Sequence, residues 1–167
     1  MLQAYVDASG TGDPNALVIA GYIATAETWA DFSDEWQKQL DEVPLPRFKM
    51  NEMSPDRMEF AAYFYRVIEK FDVLAAISCV IRTDHLRKIV EEFPWPDIPN
   101  IHKLRNPYYL GFRAIIENVA RFQVRFGLMT PVDFIFDDQS EKGALIDAGS
   151  VPGRGVRAFA YASISAG

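Results

Sequence analysis

From Val73 to Ile81 the chain reads Val-Leu-Ala-Ala-Ile-Ser-Cys-Val-Ile, an almost uninterrupted apolar run of strand length. It is too short to cross a membrane, and its Val, Ile and Leu content favours extended backbone. A run of this kind predicts a central β-strand covered on both faces, hence a sheet lying between helix layers. Any fold for this chain has to be built around that strand.

The segments before it supply partners. Gln3 to Asp7 and Ala16 to Ala24 read as strands, separated by the turn formers Ser9, Gly10, Gly12, Asp13 and Pro14, which together predict a hairpin. At Ala26 the period changes from two to 3.6. Trp29, Phe32, Trp36 and Leu40 then define one helix face, opposite Asp31, Asp34, Glu35, Lys38 and Asp41, up to Pro44 and Pro46. The tryptophans on that stripe are expected in a core rather than as a stacking platform. After an extended piece from Arg47 to Asn51, Ser54, Pro55 and Asp56 are the N-cap, first-turn proline and first-turn acid of a helix expected to bury Met58, Ala61, Tyr65 and Ile68.

Beyond the apolar run, Thr83 or Asp84 is placed to cap a short helix carrying Leu86, Ile89, Val90 and Phe93, and Pro94, Pro96 and Pro99 predict a loop. Asn106 and Pro107 open the longest helix, with the stripe Phe112, Ile115, Val119, Phe122 and Phe126, and Gly127 closes it. Val132 to Phe136 is a further buried strand that ends in Asp137 and Asp138. Strands alternating with helices predict one α/β domain over residues 1–148. Residues 149–167 are different: they hold four Gly, four Ala, three Ser, Arg154 and Arg157, with no acid. Val156 to Ile164 there is an edge-strand candidate, and the segment is expected to be a truncated or frame-shifted ending.

Composition narrows the function. With 49% hydrophobic and 24% charged residues, the 167-residue chain is expected to pack a core. No apolar run reaches the length of a membrane helix, and no basic segment with an apolar stretch opens the chain, so a cytoplasmic protein without a membrane partner is expected. Cys79, the only cysteine, sits in the apolar run and is expected to be packing rather than a reactive thiol. The net charge of −6 argues against broad capture of nucleic acid, but not against a nuclease, since carboxylates gathered around divalent ions reverse the local potential.

Chemistry is expected at strand ends. Asp7 follows Ala4-Tyr5-Val6, and Asp137 follows Phe134-Ile135-Phe136. Ligands of open α/β sheets bind beyond the carboxyl ends of strands, so two such acids converge if their strands are neighbours. Together with Glu52 they would form the oxygen-rich site that Mg²⁺ or Mn²⁺ prefers, suited to phosphodiester hydrolysis. Strand-end acids are also ordinary turn formers and caps. His85 and His102 lack a second ligand at metal spacing, Ser9 lacks a nucleophile elbow, and Ser9-Gly10-Thr11-Gly12 lacks the lysine of a phosphate loop.

The opening Tyr5-Val6-Asp7-Ala8-Ser9-Gly10 with Gly21-Tyr22, the segment Phe48-Lys49-Met50-Asn51-Glu52, and Phe134-Ile135-Phe136-Asp137-Asp138-Gln139-Ser140-Glu141-Lys142 occur in the order of the three motifs of the family catalogued as domain of unknown function 3800, which they resemble. That family is grouped with ribonuclease-H-like folds. The resemblance implies a central mixed sheet flanked by helices, with Asp7, Glu52 and Asp137 as acidic metal ligands and Lys142 or Lys49 near a phosphate of a nucleic-acid or nucleotide substrate. Ala8 stands where the family has Glu, and its C-terminal Gln-x-Ala-Asp helix, the expected source of a fourth carboxylate, has no counterpart. An inactive relative is therefore the natural alternative, a protein that forms homo-oligomers through sheet surface left bare by the missing helix. A further alternative is phosphoryl transfer with Asp7 as nucleophile, although Ser9 stands where its second acid would be.

Overall fold

Local pattern places most of the elements where the sequence predicts them. In the computed structural model, residues 1–9, 15–43, 45–71, 75–93, 101–137 and 156–161 are described, with backbone only at 9, 51, 101, 102, 137 and 156–161. The strands are β1 (Leu2–Ser9), β2 (Ala16–Thr25), β3 (Ala75–Arg82), β4 (Val132–Asp137) and β5 (Val156–Tyr161). The helices are α1 (Ala26–Glu42), α2 (Met58–Lys70), α3 (Thr83–Glu92) and α4 (Pro107–Phe126), with single 3₁₀ turns at Met50–Glu52, Pro55–Arg57 and Ile101–Arg105. The proline-rich loop, Asp138 and Lys142 lie outside the described residues.

The protein is α/β, with helices flanking one mixed sheet of order β3-β2-β1-β4-β5. β1 pairs in parallel with β4, and β4 with β5. Only residues 10–15 join β1 to its neighbour β2, too few for a parallel crossover, so these two strands run antiparallel, as a hairpin requires. Thr83 N–H, just past β3, donates to Asn15 C=O, just before β2, at 2.9 Å. β3 is therefore antiparallel to β2, and the carboxyl ends of β1, β3, β4 and β5 share one edge of the sheet.

The apolar run that predicts a central strand occupies an outer position instead. Ile77, Cys79 and Ile81 pack toward the core, while Ser78 is exposed and Val80 is 62% exposed. An unbroken apolar run does not distinguish two-sided from one-sided burial, because Ser78 and the small Ala75 and Ala76 already carry a weak alternation. The centre of the sheet falls to β1, flanked by β2 and β4.

Two compact units divide the backbone: Met1–Ile23 with Ala76–Gly167, and Ala24–Ala75. In the first, α4 lies on the sheet. Asn106 caps it, its side-chain oxygen accepting from Tyr108 N–H and Tyr109 N–H at 2.9 and 3.2 Å, Pro107 takes the first turn, and Gly127 ends it at φ 65° in the left-handed region. Its Ile115, Ile116 and Val119 are buried with Ala4, Val6, Leu17, Ile19, Val132, Phe134 and Phe136. Phe112 meets Phe136 edge-on at 4.5 Å between ring centres. A Cβ on Gly111 would press into the Ile19 side chain and lie 3.2 Å from Ile81 Cδ1, so glycine brings the helix close to β2 and β3.

Phe122 and Phe126, expected on that same stripe, are exposed. The helix has 20 residues, about 30 Å, and β4 has 6, about 20 Å, so the last turns of α4 overrun the strand beside it.

In the second unit, α1 and α2 pack around an aromatic cluster. Thr25 caps α1, its hydroxyl accepting from Thr28 N–H at 3.1 Å. Trp36 and Phe48 converge on the buried Phe64, with ring centres 4.7 and 4.3 Å from it, which gives Trp36 the core role expected of it. Glu35 joins the two helices through Lys70 Nζ at 3.0 Å, and that bond holds its carboxyl below the usual range. The buried face of α2 is Phe64 and Val67, while Met58 and Tyr65, expected inside, are exposed. The helix is turned by about one residue from the predicted phase, because Phe64 has aromatic partners to meet and Tyr65 keeps its hydroxyl in water. In α3, Ile89 and Phe93 are likewise exposed.

Candidate functional site

The pleat of β1 sends Ala4 and Val6 toward α4 and leaves Tyr5 and Asp7 on the opposite face, both exposed. β4 repeats that parity with Val132, Phe134 and Phe136 in the core. Register runs from Leu2 opposite Val132 to Val6 opposite Phe136. The next step along both strands brings Asp7 level with Asp137, the final residue of β4. Neighbouring strands lie about 4.8 Å apart, so the backbone positions of the two aspartates directly follow a paired step at the carboxyl edge of this parallel pair. On the far side of β4, Asp137 is in register with Tyr161, the last residue of β5.

Asp7 is oriented by the next residue of its own strand: Oδ1 accepts from Ala8 N–H at 2.7 Å. One carboxylate oxygen is thereby tied to the backbone.

Gly21 explains how β1 is seated. A Cβ there would collide with the Tyr5 carbonyl oxygen and lie 2.9 Å from Val6 Cα, so only glycine lets β2 come this close to the segment that leads into Asp7.

Glu52 ends a 3₁₀ turn in the second unit and is gripped by Arg47, with Nη2 to Oε1 at 2.7 Å and Nε to Oε2 at 3.2 Å. Lys49, just before this turn, is exposed. The sequence reading passed over Arg47, whose two-pronged geometry matches a carboxylate and fixes the plane of Glu52.

At the end of β3, Arg82 holds Asp84 with paired bonds of 3.0 and 2.8 Å. That pairing keeps the Asp84 carboxyl at about 2, below its ordinary 3.8. His85 beside it is exposed, its Nε2 3.8 Å from Asp84. Cys79 is half-buried, and burial pushes its thiol up, in keeping with packing rather than reactivity.

Sequence reading also missed Asp133, a carboxylate only 7% exposed. In register it sits between Gln3 of β1 and Arg157 of β5. Four residues, or about 13 Å, separate it from Asp137, which puts it outside the strand-end pair. Its position inside the strand was the available signal, since an acid there has to be buried or face a partner.

Among the described residues no trio of His, Cys, Asp and Glu is gathered as a metal-binding group, and no helix is long and apolar enough to cross a membrane. No protein-family model matches the chain, and no similar protein is found among curated proteins.

Proposed function

We propose that this protein is a metal-dependent phosphodiesterase of nuclease type, built on a ribonuclease-H-like fold, with Asp7 and Asp137 as the ligands of Mg²⁺ or Mn²⁺. The observation that carries the reading is that the parallel register of β1 and β4 ends at Val6 opposite Phe136, the residues immediately before Asp7 and Asp137. The mixed sheet, with this pair at its centre and helices around it, supports the fold assignment.

The donor set fits such an ion. Hard divalent cations take carboxylate oxygens, and two aspartates on strands about 4.8 Å apart are close enough to share one. A bound cation would supply an activated water and stabilise the leaving oxygen of a phosphodiester. The chain's own part is to hold the ligands still. Two adjacent strands fix the backbone, the Ala8 N–H orients Asp7, and the Asp7 side chain is exposed. The test is thermal melting with millimolar Mn²⁺ or Mg²⁺. The wild type is expected to melt higher with metal, and Asp7→Asn to lose the shift, whereas an unchanged wild-type curve would overturn the assignment.

A second reading has its own observation. Tyr5, Tyr22 and Val80 are exposed on the sheet face opposite α4, as expected of a non-catalytic relative that associates through this surface. Val80→Glu should then block self-association and leave any metal response intact.

A further inference from the structure

Two exposed aromatic residues stand near Asp7 on its own face of the sheet. Leu17, Ile19 and Ile23 turn one side of β2 toward the core, which leaves Ala20 and Tyr22 on the face that carries Tyr5 and Asp7. Gly21 lies against the backbone of Tyr5 and Val6, so Tyr22, one residue on, is a cross-strand neighbour of Tyr5 about 5–8 Å away. Tyr5 in turn is two residues, about 7 Å, from Asp7 along β1. Both strands are interior to the sheet, yet Tyr5 is 43% and Tyr22 36% exposed. On the same face Ala20 of β2 and Ala76 and Ser78 of β3 are small and exposed, so little side-chain bulk surrounds the rings.

Two chemistries therefore meet in one place. Carboxylate oxygens take a divalent cation and, through it, a phosphate oxygen. Aromatic rings take a flat partner, and every nucleobase offers such a face whatever its hydrogen-bonding edge. Inorganic phosphate or a sugar phosphate answers the first demand alone, whereas a nucleotide answers both. A base inside a duplex is held in the stack, so the nucleotide has to be unpaired. Charge adds a condition. With a net charge of −6 and an aspartate at the site, a phosphate is repelled unless the cation lies between.

We propose that Tyr5 and Tyr22 form a stacking platform for an unpaired nucleobase whose phosphate is bound through the cation at Asp7 and Asp137. The inference rests on the metal-dependent reading above and gives it a substrate class: an unpaired nucleotide, free or within a single strand, rather than a duplex.

Fluorescence anisotropy of a short labelled oligothymidylate in millimolar Mn²⁺ tests it on the full chain. The wild type is expected to bind this strand about tenfold more tightly than the same strand annealed to its complement, and EDTA should abolish binding. Tyr22→Ala should weaken strand binding about tenfold and Tyr22→Phe, which keeps the ring, should restore it, while both keep the wild-type melting shift with Mn²⁺. Thymidine monophosphate that competes as well as the strand, nucleotide for nucleotide, identifies a free nucleotide as the ligand, and a clear preference for the strand identifies the polymer. The platform is overturned if inorganic phosphate competes as well as the monophosphate, if Tyr22→Ala binds like the wild type, or if strand and duplex bind equally. A Mn²⁺ melting shift without strand binding would overturn this inference alone, and no shift at all would remove the cation site beneath it. Tyr22→Ala that changes only the sedimentation of the protein would assign the face to a second copy instead.

Discussion

Single residues carry the chemistry here, and glycine carries as much of it as aspartate does. Gly21 occupies a spot where a methyl group would meet the backbone of Tyr5 and Val6. Gly21→Ala is expected to destabilise the fold by about 1–3 kcal/mol, read from the urea midpoint, because backbone rather than a flexible side chain would have to yield. The same change should weaken any metal response, since it displaces the strand that ends in Asp7. A variant as stable as the wild type would contradict this account of the β1–β2 contact.

Asp84 gives a residue-scale prediction in pH. Its carboxyl titrates near 2 in the folded protein against 3.8 ordinarily, because Arg82 stabilises the charged form. A lowered folded-state value means that the stabilisation is present above 3.8 and is lost as pH falls toward 2. The pair is solvent-exposed, so the effect is small. Melting temperatures of wild type and Asp84→Asn should differ at neutral pH and converge as pH drops through that window. A gap that stays constant down to pH about 2 would show that the pairing does not act through ionisation.

At the scale of elements, what was legible in the sequence was what local chemistry decides. Asn106, Pro107 and Gly127 bracket α4 because capping, fixed φ and left-handed backbone are properties of single residues. Asn106→Ala should cost about 0.5–2 kcal/mol in chemical denaturation by leaving the first-turn N–H groups without their acceptor. No loss would mean that the cap is replaced by water without penalty. Faces were less legible. The phase of α2 depends on which ring finds Trp36 and Phe48, and the overrun of α4 on the length of β4, the strand that follows it. Neither quantity is contained in the periodicity of the helix itself.

At the scale of the whole molecule, strand order is the decisive variable, and it is non-local. The apolar run Val73 to Ile81 reads as central, yet its described part from Ala75 lies in an outer strand, while the shorter runs ending in Asp7 and Asp137 become neighbours inside the sheet. Sequence alone establishes only that each of these runs ends in an acid. That both follow the last paired step, Val6 opposite Phe136, comes from the parallel pairing of β1 with β4. That arrangement turns two ordinary strand-end residues into a candidate cation site. Glu52 was singled out by the same resemblance, and locally its dominant relationship is the paired contact with Arg47.

The most direct measurement is an anomalous difference map from crystals soaked in Mn²⁺. A peak bridging the Asp7 and Asp137 carboxylates, absent in crystals of Asp7→Asn, is the expected result. A map with no peak at that edge of the sheet, or manganese bound only elsewhere, would contradict the account.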